Sequence, residues 1–304
     1  MDLLNHILYD TIYHSTPIIL CVLGGMFAYK ANVLNIALEG MMLSGAFFTA
    51  LIVLLTESIA LGIVAGISSS LILGLIFSFM GITKKGNVII VGLAVNLFVP
   101  ALIAFILQLM STSNINLNML DATAFKINIP IIKDIPLLGG MLSGHPPLTY
   151  LSFAAIALLS VLMYHTKFGI YVRVVGENED AAKSLGIKSD LFKYAAVLIG
   201  SVCCALAGVN LSLERLALFT NDMTAGRGFI AIAAIYCGQG KPVASSMYAI
   251  LFGVARALAI NLSIYAGAAS GLFDIIPYIV MVIVLAVVSA LKYRNSKSRI
   301  IKLE

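Results

Sequence analysis

Charge is scarce in this sequence: 11% of its 304 residues are Asp, Glu, Lys or Arg, against 61% that are hydrophobic. A soluble domain carries about 25% charged residues, and no soluble fold hides so much apolar surface from water. Cysteine is sparse too. Cys21, Cys203, Cys204 and Cys237 lie in or beside apolar stretches, without metal-ligand spacing and without partners in the polar loops, so they read as small buried hydrophobes. His6, His14, His145 and His165 are scattered and no nucleophile stands beside a base, which disfavours a membrane-embedded enzyme. No Gly-x-x-x-x-Gly-Lys-Ser/Thr loop occurs, so the chain is not expected to supply a fold that hydrolyses ATP. No catalytic residue and no metal ligand is expected. The first apolar run has neither a basic flank nor a small-residue cleavage site and is expected to be retained as a helix.

What is abundant is long apolar stretches. Crossing about 30 Å of hydrocarbon takes about 20 mostly apolar residues. Such runs fall near residues 12–29, 34–56, 58–81, 87–110, 148–164, 191–211, 243–264 and 272–291, and a further run, Phe229 to Gly238, is too short to cross unaided. They are rich in Leu, Ile, Val, Ala and Gly without the alternation of an outer-membrane strand, so helices are favoured over a barrel. The sequence predicts an all-α polytopic membrane bundle of eight to nine spans, a single domain over residues 1–304 in the cell membrane, with broken or short helices near 31–46 and 224–238.

The net charge of +5 is read from where the cations sit. If the basic tail at 292–304 is cytoplasmic and the short run crosses, Lys30, Lys84, Lys85, Lys167, Arg173, Lys183, Lys188, Lys193, Lys241 and five tail cations lie inside. Lys126, Lys133, Arg215 and Arg227 fall outside and Arg256 within a span. The excess inside predicts an N-out, C-in chain of nine crossings; a re-entrant short run gives eight. The connection 111–147, with Asn114, Asn116, Asn118, Pro130, Pro136, Gly139, Gly140, Pro146 and Pro147, resists a continuous helix and is expected as an external lid or surface loop.

Several polar residues stand where they are costly. A charge at the centre of a spanning helix costs about 3 kcal/mol, so Glu39 either faces a watery cavity or cationic partner, or caps a helix at interfacial depth. Gly226 and Gly228 flank Arg227 just before the short run, and broken helices of this kind point to a midplane site. Arg256 stands mid-span and needs a partner, for which Glu39 and Glu214 are candidates, with Asn96 and Gln108 adding neutral hydrogen bonds along the route or merely between helices. The charged connection 165–190 holds a short helix starting near Asn178, with acids in its first turn, and ending at Gly186.

Four stretches then carry a resemblance. They are Asn32-Val-Leu-Asn-Ile-Ala-Leu-Glu-Gly-Met-Met-Leu-Ser-Gly-Ala-Phe47, Gly92-Leu-Ala-Val-Asn-Leu97, Val175-Gly-Glu-Asn-Glu-Asp-Ala-Ala-Lys-Ser-Leu-Gly-Ile187 and Phe219-Thr-Asn-Asp-Met-Thr-Ala-Gly-Arg-Gly-Phe-Ile-Ala-Ile-Ala-Ala234. The chain resembles permease subunits of ATP-binding-cassette importers of the ribose, nucleoside and branched-chain amino acid family, closest to the nucleoside branch. The resemblance implies a coupling helix at 175–190 seated on an ATPase, with Glu177, Asn178, Glu179, Ala181, Ala182 and Gly186 as docking residues and small alanines letting the helix sit close. It implies no cofactor in this chain, ATP and magnesium being bound by a cytoplasmic ATPase, and as further partners a second permease, homologous or identical, and an extracytoplasmic solute-binding lipoprotein. Nucleic acid is not an expected partner. Asn35, Glu39, Asn96, Phe219, Arg227, Phe229 and Arg256 are the expected solute pathway. Glu214, Arg215 and Arg256 depart from the family's usual pattern, as an internal ion pair or as the mark of a different solute. Ribose or another sugar, or an ion-coupled carrier using Glu39 and Arg256, are the alternative readings.

Overall fold

The computed structural model describes residues 2–117, 125–127, 141–264 and 270–301, and the side chains of these apart from 2–4, 270 and 292–301. The helices are α1 Asp2–Lys30, α2 Leu38–Thr56, α3 Ile59–Ser78, α4 Val88–Leu109, α5 Pro147–His165, α6 Lys167–Glu177, α7 Glu179–Ser184, α8 Ser189–Val209, α9 Arg227–Cys237, α10 Pro242–Ser263, α11 Ser270–Phe273 and α12 Ile276–Ile301. Wide π-turns at Phe79–Thr83 and Asn210–Arg215 extend α3 and α8. Starts follow local chemistry. Asn87 accepts the first amides of α4 at Ile89 and Ile90, and Pro147 and Pro242 open α5 and α10 where no amide is needed.

Eight of these helices are long and apolar enough to cross a membrane, namely Asn5–Lys30, Leu38–Thr56, Ile59–Thr83, Val88–Leu109, Pro147–His165, Ser189–Arg215, Pro242–Ser263 and Gly271–Leu291. Burial ranks them. The most apolar window of α1 is 94% buried and those of α8 and α2 78% and 72%, whereas that of α12 is 6% buried, so α1, α2 and α8 form the centre and α12 the rim. The central trio meets through small residues. A side chain on Gly24 of α1 would lie 2.8 Å from the Gly200 carbonyl of α8, so glycine lets the two backbones touch.

The short helix α9 is not a full span. Its 11 residues reach about 16 Å at 1.5 Å per residue, half a bilayer. The non-helical stretch before it supplies the remainder. Leu218–Thr220 (β2) pairs antiparallel with Asn114–Asn116 (β1), beyond the end of α4, in register Asn114↔Thr220, Ile115↔Phe219 and Asn116↔Leu218. From there the chain runs to Gly226, and α9 ends beside Tyr29 and Lys30 at the far end of α1. Residues 216–241 therefore join the two ends of the bundle by a strand, turns and one half-helix, beside the eight long helices. The two-stranded ribbon is a small correction to an all-α reading.

Much of the expected lid at 111–147, including Lys133, lies outside the described residues. Its last part is fixed: Ile127 bridges His145, whose ring stacks on Tyr9 at 4.2 Å and donates from Nε2 to the Met141 carbonyl. The expected basic tail continues α12 as helix to Ile301.

Candidate functional site

Between α1 and α2 the chain leaves the helix and turns back along α4. Asn32 adopts a positive φ of 58°, and the Asn35 Oδ1 accepts the Ala37 amide at 3.0 Å, a local turn that aims α2. No side chain of Ala37 caps α2, so its first amides look elsewhere. Asn96 of α4 supplies one partner, taking the Gly40 amide on Oδ1 at 2.8 Å and giving its Nδ2 to the Ile36 carbonyl at 2.9 Å. One amide side chain thus holds both lips of the break.

Glu39, in the first turn of α2, closes the other side. Its Oε1 accepts the Gly226 amide at 2.9 Å and its Oε2 the Gly228 amide. Those amides form the N-terminus of α9, where Gly226 stands at φ 70°. A single carboxylate therefore sits at the positive ends of two helices that point away from each other. Gly228 makes the approach feasible: a Cβ there would lie 2.6 Å from both Cα and N of Glu39. Glu39 is 9% exposed, so its charge is met by backbone amides rather than by bulk water.

The other expected pathway residues are not all gathered here. Arg227, 8% exposed, folds back on the carbonyls of Met223 and Thr224 at 2.8 and 2.9 Å and forms no ion pair with Glu39. Arg256 pairs with neither Glu39 nor Glu214, the partners expected from sequence. Its Nη1 is 3.3 Å from Asp274, which the turn before α12 brings across. Glu214 accepts from Asn210 at 2.7 Å and the Leu148 amide at 3.1 Å, while Arg215 donates to His14 at 2.8 Å and lies over the Tyr13 ring, so the two are not an internal ion pair. Phe219 is wholly buried in β2 against Phe47 at 5.1 Å and is a wedge rather than a wall. Gln108 lines a separate shallow cleft with Ser111, Thr112 and Asn221.

Phe229, 40% exposed, does face outward. With Ile232 and Tyr236 it makes an apolar stripe along α9, and Leu93 and Leu97, on either side of Asn96 along α4, are also exposed. The sequence reading missed Asp274 and Tyr278, whose hydroxyl donates to the Ala225 carbonyl at 2.9 Å. An unpaired Arg256 in one apolar run and a lone acid opening the next was the available signal.

At the end of the bundle that collects Lys30, Lys85, Arg173, Lys193 and Lys241, the predicted short helix forms as α7. Asn178 caps it by accepting the Ala181 amide at 3.0 Å, and Gly186 ends it at φ 77° with open space around its Cα. Glu179 bonds Lys183 at 2.7 Å and also Lys193, and those two ammonium groups hold its carboxyl down to about 2 from an ordinary 4.5. Ala181 and Gly186 are exposed, and Ala182 is fully buried against the bundle. Leu185 is 75% exposed at the tip. Glu177 is also exposed, at the rim of a cleft beside Tyr29.

Residues 7–285 match the family described as branched-chain amino acid transport system / permease component. Among curated proteins, the chain is similar to the nucleoside ABC transporter permease protein NupC of Lactococcus lactis subsp. cremoris, 29% identical over 94% of this chain and 93% of that one. It is 30% identical to the guanosine ABC transporter permease protein NupQ of Bacillus subtilis, over 86% of this chain and 83% of the relative. It is also 30% identical to the putative glucose ABC transporter permease protein TsgC13 of Haloferax volcanii, over 82% and 75% of the two chains. No solved structure matches.

Proposed function

Because the chain belongs to the branched-chain amino acid transport system permease family, we propose that it is the membrane-spanning permease subunit of an ABC importer that admits a nucleoside-class solute, driven by ATP hydrolysed on a separate subunit. It is a multi-pass protein of the plasma membrane. The observation that carries the translocation reading is the joint at Glu39, where two helix N-termini meet inside the bundle and Asn96 holds the break open beside it. Broken helices of this kind are where membrane carriers expose backbone groups to a solute. The nucleoside class rests on the two relatives named for nucleoside and guanosine transport, which align over most of both chains.

In this reading the end rich in Lys faces the cytoplasm, the connection 111–147 lies outside, and α7 docks on the ATPase through Ala181, Leu185 and Gly186. The working complex contains a second permease, two ATPase domains that bind ATP and magnesium, and an external solute-binding lipoprotein. The stripe of Phe229, Ile232 and Tyr236 forms one wall of a route completed by the second permease. A flat base with ribose hydroxyls suits apolar walls with sparse amides.

The test is deletion of the subunit followed by uptake of labelled nucleosides, ribose and glucose. Loss of nucleoside uptake alone is the expected result. The glucose relative motivates the second reading, a sugar permease, and intact nucleoside uptake with lost sugar uptake would establish it in place of the first.

A further inference from the structure

A cleft of about 400 Å³ opens at the lysine-rich end, away from the Glu39 joint, lined among others by Tyr29, Lys30, Val33, Arg173, Glu177 and Tyr236. Its lining mixes two chemistries. Lys30 is the last residue of α1, and Arg173 of α6 reaches the Gly169 carbonyl with Nε at 3.4 Å while its guanidinium lies 5.1 Å from the Tyr164 ring. Among the described residues neither cation is in an ion pair, and Glu177 is the single carboxylate in the lining. The turn after α9 adds a third cation: Gly240, at φ 64°, lies against Tyr29 and the Lys30 stem and sets the exposed Lys241 beside them. Tyr29 and Tyr236 meet edge to face at 5.1 Å in the same lining, which also holds Val33.

Two cations outside any close ion pair, with tyrosine rings and an apolar residue in the same lining, describe a receptor for a phosphate ester carrying a ring or a chain. We propose that this cleft binds such an anion, gripping the phosphate with Lys30 and Arg173 and resting the remainder on Tyr29. Its placement on the cytoplasmic side rests on the importer reading. Two sources share the chemistry: a soluble nucleoside monophosphate, the class of product made when a phosphotransfer captures an imported nucleoside, and the headgroup of an anionic phospholipid at the membrane surface. A bound anion ties α1, α6 and the end of α9 together, immediately before the docking helix α7.

The experiment uses the full chain in nanodiscs of phosphatidylcholine. Binding of labelled AMP is measured with adenosine and inorganic phosphate as competitors, and retention of phosphatidylglycerol is read by native mass spectrometry. The Lys30→Gln/Arg173→Gln variant is expected to lose at least about tenfold in affinity for whichever ligand binds the natural chain. AMP binding that is lost in the variant assigns the soluble source; phosphatidylglycerol retention lost in the variant assigns the lipid. Binding of neither, or equal binding to natural chain and variant, overturns the proposal. Should the double variant fail to assemble, Glu177→Gln is read instead. It removes the one carboxylate from the lining and is expected to tighten binding about threefold, and unchanged or weaker affinity overturns the site. Binding is read without transport, so its failure leaves the importer reading standing, and failed uptake leaves binding measurable.

Discussion

At Gly228 a single missing methyl decides whether two helices can meet. An alanine there would place its Cβ 2.6 Å from the Glu39 backbone, which cannot swing aside, so Gly228→Ala is expected to destabilise by about 1–3 kcal/mol and lower the melting temperature in detergent. The comparison is Gly186→Ala, where open space surrounds the site and only the positive φ opposes a side chain. That variant should keep the bundle's melting temperature and disturb the end of α7 alone. At Glu39, exchange for Gln leaves one good acceptor for two amides. A buried amide without a partner costs about 1–3 kcal/mol, so Glu39→Gln should melt earlier, and a melting temperature equal to that of the natural chain would contradict the role given to the carboxylate. Sequence alone showed that Glu39 was expensive and that Gly226 and Gly228 allowed close approach. It did not show that the two facts are one contact, because 187 residues separate Glu39 from Gly226 and no local rule spans that distance.

For the elements, the short helix α7 was legible almost to the residue, since Asn178, the acids of the first turn and Gly186 act locally through capping and charge. Which alanine faces outward was not legible, because a helix of six residues is oriented by what it packs on. Electrostatics at this helix give a definite pH dependence. The carboxyl of Glu179 is depressed in the folded chain, so its contribution is present above 4.5 and lost as pH falls toward about 2. Helix anchoring should therefore be unchanged through neutral pH. In Lys193→Gln, removal of one ammonium group moves the loss upward toward 4.5, to be read as earlier acid release of α7 in hydrogen exchange. The segment at 141–147 also loses stability on acidification, but at a pH nearer neutral. Burial lowers the His145 imidazole below its usual 6.5, so the neutral form is favoured in the fold and stability falls as pH drops through 6.5. His145→Gln should flatten that dependence of melting temperature on pH.

For the whole molecule, apolar length foretold the eight long helices. It did not reveal that the short run is preceded by a strand and turns rather than by helix, since a run too short to cross says nothing about what flanks it. The open surface along α9 and α4 gives a prediction at this scale. Cysteine at Phe229 should react with an aqueous thiol reagent and cross-link to the second permease, whereas cysteine at the fully buried Phe219 should do neither. Equal labelling at both positions would mean that the stripe does not border the route.

The near-complete burial of α1 bears on how the chain is made. Its polar groups find their partners late in the sequence: Asp10 bonds Asn261 at 2.7 Å, His14 meets Arg215, Thr16 meets Thr149, and Ser15 packs on Gly253. Because these partners lie 133 to 251 residues downstream, α1 is fully satisfied only once α10 has been made.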